Sequence, residues 1–338
     1  MKLFLTGGTG FFGKAILRHL KARHQAQAER QPESVVVLSR APDNFIAHNP
    51  EFANLPWLRF HCGDIGSARS LPDNETFTHV LHAAADSTDC SAMTLLQRHE
   101  QIVNGTKNVL GFARHVGATR FLLTSSGGVY GPQPLELSGI PESYNGMPDP
   151  LNPNNVYSVA KRQAEHLCAL YREEYGLETV IARCFAFVGE DLPLNAHFAI
   201  GNFIRDALWR DEIIVAGDGS PLRSYLDQRD LAHWLLTLLE RGQTGQAYNV
   251  GSDQAISISA LAHLVRDLLS SNKPVRILNK EGDIHSRNRY IPDIRRARET
   301  LALDVSIPLE KAIVATGHAA MSLSTKFAPT FQMNMNCS

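Results

Sequence analysis

Leu3-Phe4-Leu5 runs through Thr6 straight into Gly7-Gly8-Thr9-Gly10-Phe11-Phe12-Gly13, and a helix-patterned segment, Lys14–Lys21, follows. An apolar strand that ends on glycines and opens a helix leaves few folds available. Gly7 permits the tight turn, Gly10 lets phosphates approach the backbone, and Gly13 lets the helix pack close to the strand. The helix N-terminus then offers free N–H groups to a pyrophosphate. The segment predicts a βαβ unit that binds a dinucleotide.

The first half of the chain repeats this unit. Leu3–Thr6, Val35–Leu38, Leu58–Phe60, His79–His82 and Arg120–Thr124 read as short strands, apolar on both faces. Helical patterns at Lys14–Lys21, about Leu95–Val116 and Tyr157–Tyr175 lie between or after them. Strand–helix alternation of this kind predicts an α/β fold with a doubly wound parallel sheet, the Rossmann arrangement. Pro132–Pro153 reads as a long surface loop. Later segments predict a helix at Ile200–Trp209, a strand at Ile213–Val215, a turn at Gly217-Asp218-Gly219, a helix at Asp230–Glu240, a strand at Ala247–Val250 and a helix at Ile258–Leu269. The expected organisation is a dinucleotide domain over residues 1–188, joined by about 225–255, and a smaller substrate-binding lobe over most of 189–317. The tail, 318–338, is expected to be poorly ordered or to cap a neighbouring subunit.

Composition narrows the partners. The 338 residues are 43% hydrophobic and 20% charged, as a folded globular protein is. The net charge of −1 lacks the basic surplus of a nucleic-acid binder. No apolar run approaches the roughly 20 residues of a membrane span. Cys62, Cys90, Cys168, Cys184 and Cys337 are scattered and form no CxxC pair. That argues for reduced thiols, a cytoplasmic setting and no metal site. Cys184 reads as a core residue.

The ends of the strands carry the candidate site. The second strand ends Leu38-Ser39-Arg40 where an acidic residue would select NAD. Ser39 and Arg40 suit a 2′-phosphate instead, so NADP is favoured and NAD remains open. Asp64, in Gly63-Asp64-Ile65, is placed to accept from an adenine amino group, and the small residues of His82-Ala83-Ala84-Ala85 let backbone lie against the cofactor. Tyr157 and Lys161 open a helix four residues apart and so share a face. A neighbouring ammonium lowers a phenol's pKa, which would make Tyr157 a general acid/base towards an alcohol or ketone. Ser126, at the end of the fifth strand, can bond the same substrate oxygen.

Thr6–Gly13, Gly63-Asp64, His82–Ala85, Asn104-Gly105-Thr106, Ser125–Gly131, Tyr157–Lys161, Gly217–Arg223 and Asp230-Leu231-Ala232 together resemble the extended short-chain dehydrogenase/reductases of the nucleotide-sugar epimerase/dehydratase group. The resemblance implies that Ser126, Tyr157 and Lys161 are catalytic, that Lys161 also bonds the nicotinamide ribose, and that Arg223 grips a substrate diphosphate. With Ser126 and Tyr157, Arg223 makes the expected substrate set. The expected cofactor set is Gly7, Gly10, Phe11, Phe12, Gly13, Ser39, Arg40, Asp64, Ile65, His82, Ala83, Ala84, Asn104, Tyr157 and Lys161. The group also implies a homodimer. Its dehydratases carry Asp-Glu directly after the catalytic hydroxyl residue, and its UDP-glucuronate decarboxylases a Glu at the second of those places. Here Gly127 and Gly128 stand there, which disfavours both reactions. Ala186 replaces an Asn that often contacts substrate in epimerases. Two activities are left: reduction of a nucleotide-linked 4-keto-6-deoxyhexose for cell-surface polysaccharide precursors, favoured by Ser39-Arg40, and 4-epimerisation. A regulator that senses NADP without catalysis is the reading from another class, and the intact Ser126, Tyr157 and Lys161 argue against it.

Overall fold

The computed structural model describes residues 1–27, 31–85, 93–196, 198–278 and 288–326. Cys90, Cys337 and tail residues 327–338 lie outside them.

In chain order the first half contains β1 (Lys2–Thr6), α1 (Phe11–Gln25), β2 (Ser34–Ser39), α2 (Pro42–His48), β3 (Leu58–Cys62), β4 (His79–His82), α3 (Leu95–His115), β5 (Arg120–Ser126), α4 (Val156–Tyr175) and β6 (Glu178–Cys184). Then follow β7 (Phe187–Val188), α5 (Ala199–Trp209), β8 (Ile213–Val215), β9 (Leu222–Arg223), β10 (Leu226–Asp227), α6 (Gln228–Arg241) and β11 (Ala247–Val250). The chain closes with β12 (Ile256–Ser257), α7 (Ile258–Leu269), β13 (Val275–Ile277), β14 (Arg289–Tyr290), α8 (Arg295–Leu301) and α9 (Leu309–Lys326).

Seven parallel strands form the main sheet in the order β11-β6-β5-β4-β1-β2-β3. Successive side chains on a strand face opposite ways. Leu3, Leu5, Val35 and Val37 therefore meet Ile16, Leu20, Trp234 and Leu238 on one face. Phe4, Val36, Val80 and Phe121 meet Val109, Leu110, Ala160 and Ala164 on the other. Each fully buried large side chain contributes about 1.5–3 kcal/mol, which fixes the register of both faces. The edge strand β3 departs from expectation: it exposes Arg59 and Cys62 and is not apolar on both faces.

Two helix ends show how local sequence sets boundaries. Thr94 and Gln97 cap α3 reciprocally, at 3.2 and 2.8 Å, so the helix starts at Leu95. Gly176 ends α4 with φ at +69°.

A second core joins Phe203, Ile204, Leu261, Val265 and Ile313 from α5, α7 and α9. Here too the chain departs from expectation. Residues after Gly317 continue α9 as far as Lys326, because Ala312, Ile313 and Thr316 recur at helical spacing and are buried. The Pro132–Pro153 loop is tied down in its middle, where buried Ile140 pairs with Pro292. Beside it, the three-stranded sheet β12-β9-β14 carries Arg223 and Tyr290 opposite one another. Among the described residues, no helix is long and apolar enough to cross a membrane, and no cluster of His, Cys, Asp and Glu is set to hold a metal.

Candidate active site

The strand order reverses between β1 and β4, and ligands of open α/β sheets bind in the crevice where that happens. Gly7 turns there with φ at +72°, and a Cβ on it would stand 2.5 Å from the Ala83 carbonyl. A Cβ on Gly13 would run into the Gly8 backbone. Packing thus accounts for both glycines. Gly10 is different: its Cβ would meet only the Gly7 carbonyl oxygen, at 3.6 Å. A glycine that its own protein does not require leaves backbone bare for something outside it, and Gly10 caps the N-terminus of α1. Phe11 and Phe12 follow, with Phe12 set edge-on against Phe187 at 5.1 Å. These residues fit a dinucleotide's pyrophosphate.

The neighbouring strands deliver the other expected residues unevenly. Ser39 is buried, and its hydroxyl accepts from the Ala41 N–H at 3.2 Å, whereas Arg40 is exposed at the end of β2. One oxygen of Asp64 accepts from the Gly66 N–H at 2.7 Å. Ile65 is buried against Gly105, and its carbonyl accepts from the Asn108 side chain at 2.9 Å. His82 is buried between the Thr6 and Thr106 hydroxyls, at 2.7 and 3.2 Å. Burial and the Lys161 ammonium push its pKa down to about 3, so the imidazole is neutral. The Ala84 N–H donates to the Thr6 hydroxyl at 3.2 Å, which holds the Ala83-Ala84 backbone along the crevice. Asn104 is exposed on α3 one helical turn before Asn108, while Gly105 and Thr106 are buried.

The chemistry-bearing side chains meet at the ends of β5 and β6, where Ser126 and Cys184 are register partners. The Ser126 hydroxyl accepts from the Gly128 N–H at 3.1 Å. Lys161 is 2% exposed, and its ammonium donates to the Thr124 carbonyl at 2.8 Å. That ammonium lies 5.8 Å from the Tyr157 ring centre, so i,i+4 spacing does bring the two together. Its expected effect is not found. Burial, with Cys184 and Tyr290 alongside, pushes the Tyr157 phenol above its usual range. The same burial pulls Lys161 down to about 8. The cation opposing the rise at Tyr157 is Arg98, whose guanidinium lies 5.1 Å from the ring centre. Cys184 is 5% exposed, a core position as expected, and burial keeps its thiol neutral by raising it to about 12.

Sequence reasoning did not single out several contributors. Arg98 is one. Ser125 donates to Glu165 at 2.6 Å, and Arg183 grips the same carboxylate at 2.7 Å, so Glu165 ties α4 to β5 and β6 beside the site. Tyr290 sits among Ser126, Gly128 and Cys184. Arg223, half-buried, lies near Tyr225 and Tyr290 and donates to the carbonyls of Leu222 and Asn288 at 2.8 and 3.1 Å. The Gly217–Gly219 turn before it is closed by Asp218, which accepts from Ser220 at 3.0 and 2.7 Å.

Residues 3–251 match the model of the NAD dependent epimerase/dehydratase family. The chain belongs to that family. Its relatives include UDP-glucuronic acid decarboxylase 1 of Xenopus tropicalis, 34% identical over 214 residues, which are 63% of this chain and 49% of that one. The chain therefore spans about half the length of that relative. UDP-glucuronic acid decarboxylase 4 of Arabidopsis thaliana is 29% identical over 318 residues, 93% of this chain and 67% of that one. The fold matches UDP-glucose 4-epimerase from Thermotoga maritima with a TM-score of 0.78 at 20% identity, covering 96% of this chain and 99% of that one. It also matches dTDP-glucose 4,6-dehydratase from Streptomyces venezuelae, solved with NAD bound, with a TM-score of 0.79 at 25% identity, covering 97% and 99%.

Proposed function

We propose that this family member transfers hydride at C4 of a nucleotide-linked sugar, and that its net reaction is reduction of a 4-keto-6-deoxyhexose nucleotide. What supports this reading is Tyr157 beside Lys161, both close to Cys184, the register partner of Ser126, with glycines at 127 and 128. The bound nicotinamide supplies or accepts the hydride. The chain's own task is the proton. Ser126 donates a hydrogen bond to the C4 oxygen, and Tyr157 gives that oxygen its proton. A phenol whose pKa is raised keeps its proton at neutral pH, which suits the reductive direction. Arg98, 5.1 Å from the Tyr157 ring centre, is the cation that opposes the rise, and Lys161 lies 5.8 Å from the same ring.

Gly127 and Gly128 bring no carboxyl group to this point, so they supply no acid for eliminating water and no Glu of the decarboxylase kind. Arg223 is assigned to the diphosphate, because a guanidinium fork holds phosphate oxygens in pairs. Arg40, exposed at the end of β2, is assigned to a 2′-phosphate, which favours NADP. A second reading, 4-epimerisation with a retained NAD, is favoured by the NAD dependence in the family's description. Purified protein offered a panel of nucleotide sugars and 4-keto nucleotide sugars, with absorbance at 340 nm followed for each cofactor, separates the two. Reduction consumes NADPH stoichiometrically. Epimerisation interconverts sugars with no net change.

A further inference from the structure

Gly127, next after Ser126, leaves room that a residue from the far end of the chain fills, while the space at Gly128 is taken by the Ser158 hydroxyl. Tyr290, on β14, is the register partner of Arg223. Its ring packs on Phe185 with centres 4.6 Å apart, and its hydroxyl donates to the Cys184 carbonyl at 3.4 Å. The same phenol oxygen lies close to Ser126 and Gly128, whose N–H donates to the Ser126 hydroxyl at 3.1 Å. A Cβ on Gly127 would stand 2.7 Å from that oxygen and 2.7 Å from Phe185 Cζ. Two different atoms thus compete for one space, and the fold gives it to Tyr290 by placing no side chain at 127.

We propose that Tyr290 is a positioning residue for Ser126, admitted by Gly127, and that it links the Arg223 strand to the reacting centre. The inference rests on the C4 hydride-transfer reading. The Ser126 hydroxyl has one proton and three staggered orientations. With Gly128 donating to its oxygen and the Tyr290 oxygen close by to accept its proton, the rotamer is held until a substrate oxygen takes the phenol's place as acceptor.

Tyr290→Phe removes the hydroxyl and keeps the ring on Phe185. In the wild-type background kcat should fall about three- to tenfold, the effect of one neutral hydrogen bond, with KM within about twofold. In a Ser126→Ala background the same change should have no further effect. Equal losses in both backgrounds would overturn the proposal, since Tyr290 would then act independently of Ser126. A second arm needs no substrate. Gly127→Ala should displace Tyr290 and speed amide hydrogen exchange in the peptide covering 288–294. Unchanged exchange overturns the proposal, and faster exchange supports it. If the wild type turns over no nucleotide sugar, the hydride-transfer reading fails on its own account and the exchange arm alone decides on Tyr290.

Discussion

His82 offers a test of the crevice that needs no substrate. Its ring is 1% exposed and lies between two threonine hydroxyls, with the Lys161 ammonium close enough to repel a second positive charge. In the unfolded chain it takes a proton near the usual 6.5, but in the fold only near about 3. Between these values the unfolded state binds more protons, so stability rises with pH across that window and is lost as pH falls below 6.5. From pH 7 to pH 5 the loss from His82 is ~2 kcal/mol, set by the distance of pH 5 from the unfolded pKa. At roughly 2.1 cal/mol/K per residue, a chain of 338 residues shifts its Tm by ~3 °C for that loss. His19 and His79, pushed down to about 4 by burial, add slopes of the same sign. Comparison with His82→Asn, which keeps a polar atom near Thr6, cancels their share. Thermal unfolding of both proteins at pH 7 and pH 5 should show a smaller pH-driven drop in the variant, by ~3 °C. Equal drops would mean that His82 takes up its proton in the folded state, and the account of a neutral imidazole beside Lys161 would be wrong.

Three further outcomes follow from the site. Tyr157→Phe should lower turnover on the order of 10²–10⁴-fold while cofactor binding, followed by fluorescence, barely changes; near-normal turnover would remove Tyr157 as the proton carrier. Arg223→Ala should mainly raise KM for a nucleotide sugar, and the free sugar should be a negligible substrate for either protein; equal turnover of free and nucleotide-linked sugar would point to a generic ketone or alcohol substrate. Arg40→Ala should erase most of a preference for NADPH over NADH, a loss of about 1.5–3 kcal/mol measured by titration; equal binding of the two cofactors by the wild type would refute the assignment.

What the sequence revealed follows from how local each signal is. The glycine turn, the buried strands and the Tyr157–Lys161 spacing are set by neighbours within a few residues, and the sheet forms where those patterns placed it. Asn108, one helical turn after Asn104, was not singled out, because its bond to the Ile65 carbonyl depends on how α3 packs against the segment after β3. Helix α9 carried a readable pattern in Ala312, Ile313 and Thr316, obscured by the polar residues that follow Gly317. Nothing near Tyr290 signals its position beside Ser126, because only the pairing of β14 with β9 brings it there. The pKa of Tyr157 was misjudged for a related reason. Spacing brought Lys161 near, but burial of the pair and the contact of Lys161 with Thr124 are set by the packing of α4 on the sheet.

The most direct test of hydride transfer at C4 follows the hydrogen itself. NADPH deuterated at the transferable position of its nicotinamide is mixed with the protein and dTDP-4-keto-6-deoxyglucose, and the product is examined by NMR. The account predicts one deuterium at C4 of the sugar, and none when Tyr157→Phe replaces the wild type over the same time. A product that carries no deuterium at C4, or one formed by loss of water or carbon dioxide, would contradict it.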